Sequence, residues 1–273
     1  MTINCKGQLI DLSSPKVMGI LNITPDSFYD GNYYKTEKEI LKQVEKMLNE
    51  GATFVDVGAS SSRPNAKHIS EDEELKRIIP IVELLLKHYP EILLSIDTFR
   101  SKIANHCINS GACIINDISA GQLDHNMMPT IASLNVPYIM MHMRGTPQDM
   151  QLQIDYNNLV KDILVYFSER IAEARKLGII DLIVDPGFGF SKTLEQNYEL
   201  LNRLELLKMT ELPILAGLSR KSMIYKTLEI TAQKSLNGTT ALNTIALQKG
   251  AKIIRVHDVK ETVECIKLTN QLF

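Results

Sequence analysis

Short runs of β-branched and aliphatic residues recur at near-regular intervals along the chain: 17–21, 54–57, 93–96, 114–116, 138–141, 182–184, 214–216 and 253–256. Longer amphipathic stretches separate them. This alternation predicts βα units and a parallel sheet. Helix starts are legible at Thr36 with Glu39 and at Ser70 with Glu73, where hydroxyl and carboxylate fit a capping box. Helix ends are legible at Gly51, Gly111, Gly178 and Gly250, each just ahead of an apolar run. Three of these glycines precede an alanine, so one helix–Gly–Ala–strand unit recurs across the chain. Eight such units with no linker or composition shift predict a single α/β domain over residues 1–273, a closed (β/α)₈ TIM barrel. Residues 3–12 fall outside the repeat and predict a short N-terminal β-hairpin covering the barrel floor. An open doubly wound sheet is the alternative, but no G-x-G-x-x-G follows the first run.

Polar residues stand at the C-terminal end of nearly every predicted strand: Asn22, Asp56, Asp97, Asn116 with Asp117, His142, Asp185, and Arg255 with His257. In a barrel these ends share one face, which carries the active site. A lone aspartate there reads as a helix cap or a loop tie. So many in register read as an enzyme mouth. The carboxylates and amides suit the donor-rich edge of a neutral heterocycle. Arg63, Arg220 and Arg255 suit phosphate, whose oxygens match the guanidinium fork. Lys221 follows the seventh strand, a position that favours hydrogen bonding over Schiff-base chemistry.

Composition narrows the class. The 273 residues are 44% hydrophobic and 23% charged, and 30 basic against 32 acidic side chains give a net charge of −2. Nothing here favours nucleic acid or an anionic membrane surface. The opening MTINCKGQLIDL lacks the pattern of a secretion signal, and no apolar run approaches the roughly 18 residues of a spanning helix. Cys5, Cys107, Cys113 and Cys265 have no C-x-x-C spacing, and His106–Cys107 has no second pair to complete a zinc site. These features predict a soluble cytoplasmic protein with reduced thiols.

The runs LNITPDSF (21–28), SSRP (61–64), MHMRGTPQDMQ (141–151), DPGFGF (185–190), LSRKSM (218–223) and IIRVHDV (253–259) resemble the dihydropteroate synthase family, in its order and spacing from about residue 17 to the C-terminus. The resemblance implies a pterin-binding TIM barrel. It also implies a reaction in which the p-aminobenzoate amine replaces the pyrophosphate of 6-hydroxymethyl-7,8-dihydropterin pyrophosphate, giving 7,8-dihydropteroate. Asn22 matches the family's Mg²⁺-contacting asparagine. Arg63, Arg255 and His257 match positions that hold pyrophosphate, and Ser62 and Pro64 flank Arg63 in the family's second loop, on the p-aminobenzoate side. Asp185, Asp97, Asn116 and Lys221 match positions that bind the pterin edge, with Met140, Phe190 and Gly217 as pocket wall and floor. Ser222 matches a position that receives the p-aminobenzoate carboxylate. Asn22, Asp97, Lys221, Arg255 and His257 thus form the implied catalytic set. The family is typically homodimeric through its last helices.

The second loop departs from the family's Asp-x-Gly-Gly-Glu-Ser-Thr-Arg-Pro-Gly: here Ala59 and Asn65 replace glycines, Ser60 the glutamate and Ser62 the threonine. Ser191 replaces another family glycine. Two further readings stand beside the synthase. One is a methyltransferase of the same pterin-binding group, passing a folate methyl to a corrinoid protein. It has no need of Arg63, Arg255 and His257. The other is an inactive pterin-binding paralogue.

Overall fold

The computed structural model describes residues 1–23, 37–60 and 69–272. At the N-terminus, β1 (Thr2–Cys5) pairs antiparallel with β2 (Gln8–Asp11). Lys6 and Gly7 turn the corner at φ 54° and 80°, as a tight two-residue hairpin requires. The hairpin presses Ile3, Cys5, Ile10 and Leu12 onto Met18, Phe54, Ile114, Ile139, Ile183 and Ile253. Those residues lie near the starts of the barrel strands, so the hairpin covers the barrel floor, as predicted.

Eight parallel strands follow: β3 (Lys16–Asn22), β4 (Phe54–Gly58), β5 (Leu94–Asp97), β6 (Ile114–Asp117), β7 (Tyr138–Met141), β8 (Leu182–Asp185), β9 (Leu215–Ala216) and β10 (Ile253–Val256). Their order in the sheet is β8-β7-β6-β5-β4-β3-β10-β9. A parallel bridge between Val184 and Ile214 joins the two ends, and Val184 N donates to the Pro213 carbonyl at 3.0 Å. The sheet therefore closes on itself, and the open-sheet alternative falls. The strands are buried on both faces, which is why they read as continuous apolar runs.

Helices α1 (Glu37–Asn49), α2 (Glu71–His88), α3 (Ser101–Asn109), α4 (Met127–Leu134), α5 (Leu159–Lys176), α6 (Leu194–Asn202), α7 (Ser222–Thr227), α8 (Leu236–Gln248) and α9 (Val259–Thr269) surround the sheet. The main core lies between them and the strands and includes Val44, Ile78, Leu85, Ile103, Ile131 and Phe167. Gly51, Gly111, Gly178 and Gly250 all take the left-handed conformation ahead of the next strand. At α2 only half of the predicted capping box forms. Ser70 Oγ accepts from Glu73 N at 3.2 Å, but the Glu73 carboxylate turns to Arg77, 2.8 Å away. A charged partner one turn on outcompetes the backbone amide. Thr36 lies outside the described residues. All four cysteines are buried free thiols.

Candidate active site

Strand polarity places Asn22, Asp97, Asn116, Asp185 and Arg255 on the C-terminal face, at or one residue before the ends of five different strands. Arg255 reaches from β10 past β3 to β4 and β5. Its Nε donates to Asp56 Oδ2 at 2.6 Å and its Nη2 to Asp97 Oδ2 at 2.7 Å. Asn116 Nδ2 reaches the same Asp56 oxygen at 3.0 Å. One guanidinium and one carboxylate thus tie β4, β5, β6 and β10 together. Asp56 Oδ1 is buried and has no hydrogen-bond partner among the described residues. Burial pushes the Asp97 carboxyl up to about 7, against the pull of Arg255 and helped by Asp56. Burial works against the Arg255 charge too, but Asp56 and Asp97 outweigh it and hold the guanidinium above its ordinary range.

Two side-chain oxygens approach Gly58, at the end of β4. A Cβ there would lie 3.6 Å from both Asn22 Oδ1 and Asp97 Oδ2. The neutral amide oxygen of Asn22 therefore stands close to the Asp97 carboxylate at the mouth.

A second cluster surrounds Asp185. Its Oδ1 accepts from Gly187 N at 2.8 Å. Burial raises its pKa, with Lys221 and the Gly187 amide pulling the other way. Lys221 Nζ donates to the Phe188 carbonyl and lies 5.1 Å from the Phe190 ring centroid. Burial lowers the Lys221 pKa to about 8 despite Asp185. A Cβ on Gly217 would sit 3.8 Å from Lys221 Nζ and 3.9 Å from Arg255 Cβ, so Gly217 lies next to both residues. Met140 is fully buried in β7, the strand beside β8, whereas Phe190 is half-buried at the rim.

At the next corner His257 is exposed, and its Nδ1 lies 3.0 Å from Ser219 Oγ, which also accepts from His257 N at 3.2 Å. Ser222 begins α7 immediately after Lys221. Ser62, Arg63 and Pro64 lie outside the described residues.

Three residues of the expected mouth turn elsewhere. Asp117 accepts from Ser119 N and Oγ at 2.8 Å each, Gly121 N at 2.7 Å and Tyr138 OH at 2.6 Å, which is the loop-tying role of a buried carboxylate. His142 is buried against the Tyr166 ring, 4.8 Å between centroids, and faces Lys192. Arg220 is spent on Asp258 through Nε at 3.0 Å and Nη2 at 2.5 Å, so it is held at a helix start and not offered to phosphate. Ser219, Lys192 and Ser191 went unassigned in the sequence. Ser191 explains itself here: it sits at φ 48°, the region where glycine costs least. Its Oγ accepts from Arg144 N and donates to Arg144 O, both at 2.9 Å, which offsets the strain. Ser191→Ala should therefore lower the unfolding free energy by about 1 kcal/mol, because the half-buried Arg144 amide and carbonyl lose their partner. Urea unfolding of the two proteins checks this, and an unchanged midpoint would remove the hydroxyl from the account.

The profile described as "Pterin binding enzyme" matches residues 18–257. The chain belongs to this family. Dihydropteroate synthase from Escherichia coli K12 is 42% identical over 270 residues, 98% of this chain and 95% of that protein. The Yersinia pestis dihydropteroate synthase in a sulfonamide drug complex superposes with a TM-score of 0.94 at 42% identity, covering 100% of this chain and 99% of that one. The Xanthomonas albilineans enzyme with 4-aminobenzoic acid superposes at 0.92 and 36% identity, covering 99% and 97%. Its activity is that of a dihydropteroate synthase, a transferase of folate biosynthesis, and the methyltransferase and inactive-paralogue readings give way.

Proposed function

We propose that Asp185 and Lys221, with Asn116 and Asp97, bind the edge of the pterin ring, and that Arg63, Arg255 and His257 hold the pyrophosphate. The observation that carries this reading is the placement of buried or half-buried Asp185, Asp97, Asn116 and Arg255 at strand ends on one face, with Lys221 ahead of α7 beside them. A carboxylate accepts from adjacent ring N–H groups. Lys221, which has only donors, suits a ring oxygen or unprotonated nitrogen. Met140, Phe190 and Gly217 bound the ring. Ser62, Pro64 and Ser222 border the p-aminobenzoate, the site through which sulfonamides would act. The carbon–oxygen bond to pyrophosphate breaks before the amine attacks. Leaving-group charge is then the main load on the site, and preset cations meet it best.

The donor set fits Mg²⁺. Among the described residues no group of three or more His, Cys, Asp or Glu could hold a metal. Asn22 Oδ1, substrate phosphate and water suit an ion that keeps few protein ligands. When bound, Mg²⁺ stabilises charge on the leaving phosphate oxygens. The protein also works as a cytoplasmic homodimer in this reading. No described helix is long and apolar enough to cross a membrane. The last helices leave Ile245 and Leu268 exposed, 37% and 71%, in support of a dimer there.

Asp185→Asn tests the pterin assignment. The amide keeps the shape but presents N–H toward ring N–H, and a buried unpaired donor costs about 1–3 kcal/mol. Calorimetry should show free pterin binding weakened about ten- to hundredfold. Unchanged affinity in a folded variant sinks the assignment.

A further inference from the structure

Lys192 follows the Asp185–Phe190 loop, yet it does not reach solvent as a lysine ahead of a helix ordinarily does. It is 4% exposed and points inward. Its Nζ lies 3.1 Å from His142 Nδ1, 3.0 Å from the Gly187 carbonyl and 2.9 Å from the Phe190 carbonyl. The two carbonyls accept, and His142 Nδ1 accepts as well when its ring carries the proton on Nε2, so an ammonium finds a partner for each of its three N–H donors. The Gly187 peptide links this amine to the substrate side. Its carbonyl accepts from Lys192 Nζ while its N–H donates to Asp185 Oδ1. From the α6 side, Asn197 fixes the same loop, accepting from Gly189 N at 2.6 Å and donating to the Thr193 carbonyl at 2.6 Å.

The charged groups that face Lys192 are Asp185 at the end of β8, Lys221 before α7 and Arg144 in the loop after β7, with His142 beside it. Burial draws both Lys192 and His142 well below their ordinary ranges. Asp185 pulls Lys192 back up, while Lys221 and Arg144 oppose it. A neutral His142 can then accept at Nδ1. Burial raises the pKa of Asp185, and Lys192 opposes that rise together with Lys221, the Gly187 amide and Arg255.

We propose that Lys192 is a positioning residue for the pterin: its buried ammonium, held by His142 and two loop carbonyls, sets the loop after β8 and keeps the Asp185 carboxylate anionic where the ring binds. The proposal rests on Asp185 being the pterin ligand. Lys192 itself touches no substrate. A spare positive charge behind the loop offsets the desolvation that the pterin adds when it covers Asp185.

Lys192→Met keeps the length of the side chain and removes its charge. Free-pterin affinity at pH 7 should fall about tenfold or more, and the acid limb of pterin binding should move up by about one pH unit, since one unit of pKa is a tenfold change. The KM for p-aminobenzoate should stay within about threefold, which marks a role on one substrate only. A role in packing alone weakens affinity without moving the acid limb, and that result overturns the proposal. So does an affinity within threefold of the parent. The second measurement needs no variant. In the unmodified enzyme with ¹⁵Nζ-labelled lysine, NMR should show one slowly exchanging ammonium with contacts to His142 that shifts when pterin is added. A neutral amine at that place, or no response to pterin, refutes it. Asp185→Asn measured in parallel separates the two failures. If that variant binds pterin normally, the assignment of Asp185 falls. If it loses pterin while Lys192→Met does not, only the role of Lys192 falls.

Discussion

Arg255→Ala should abolish turnover and lower the unfolding free energy by about 3–5 kcal/mol, the range for breaking a buried ion pair from one side. The guanidinium is the sole cation seen bonded to Asp56 and Asp97 among the described residues, and the Asp56 side chain is fully buried. Without it, two carboxylates face each other across adjacent strands with only Asn116 to share the load. A residue that merely held pyrophosphate would leave free pterin binding intact. Here Arg255 also fixes Asp97, so pterin and pterin pyrophosphate should both weaken, the pyrophosphate form further. Arg255→Lys should recover little, because a single ammonium cannot bridge two carboxylates as the planar fork does. Calorimetry with both ligands, beside urea unfolding, checks the claim. A folded Arg255→Ala protein of parental stability that still binds free pterin would return Arg255 to phosphate holding alone.

The barrel was legible because the strands are buried on both faces and four of the helices end on a left-handed glycine, both of which are local signals. The positions of Asn22, Asp97, Asn116, Asp185 and Arg255 followed from strand polarity once the repeat was counted. What stayed hidden depends on contacts far apart in sequence. Arg220 looked available for phosphate until Asp258, 38 residues on, was found to hold it. Asp117 and His142 stood at strand ends like their neighbours, yet Tyr138 and Lys192 turn them away from the mouth. Lys192 carries no motif of its own, since a lysine ahead of a helix reads as a solvated surface residue. Ser62, Arg63 and Pro64 lie outside the described residues, so their part of the site stands on the family resemblance.

Gly187→Ala should be the most disruptive single methyl added to the site. Gly187 sits at φ 70°, where an alanine costs about 1–2 kcal/mol, and the added Cβ would overlap the His142 carbonyl oxygen, a backbone atom that cannot rotate aside. That backbone is itself fixed, because His142 N donates to the Asp185 carbonyl at 2.9 Å. The loop must shift, and overpacking of this kind adds about 1–3 kcal/mol. Three contacts then go together: the Gly187 amide on Asp185, the Gly187 carbonyl on Lys192 and the Phe188 carbonyl on Lys221. Because the strain falls at the Asp185 end of the mouth, pterin affinity should fall at least about a hundredfold, equivalent to roughly 2.7 kcal/mol. Asn22 and Asp97, tied to other strands, should keep their places. Pyrophosphate with Mg²⁺, measured alone, should therefore bind the variant as it binds the parent. If pterin binds normally to a folded Gly187→Ala protein, the loop after β8 is not what orients Asp185. If pyrophosphate binding is lost to the same extent, the two halves of the mouth are not independent.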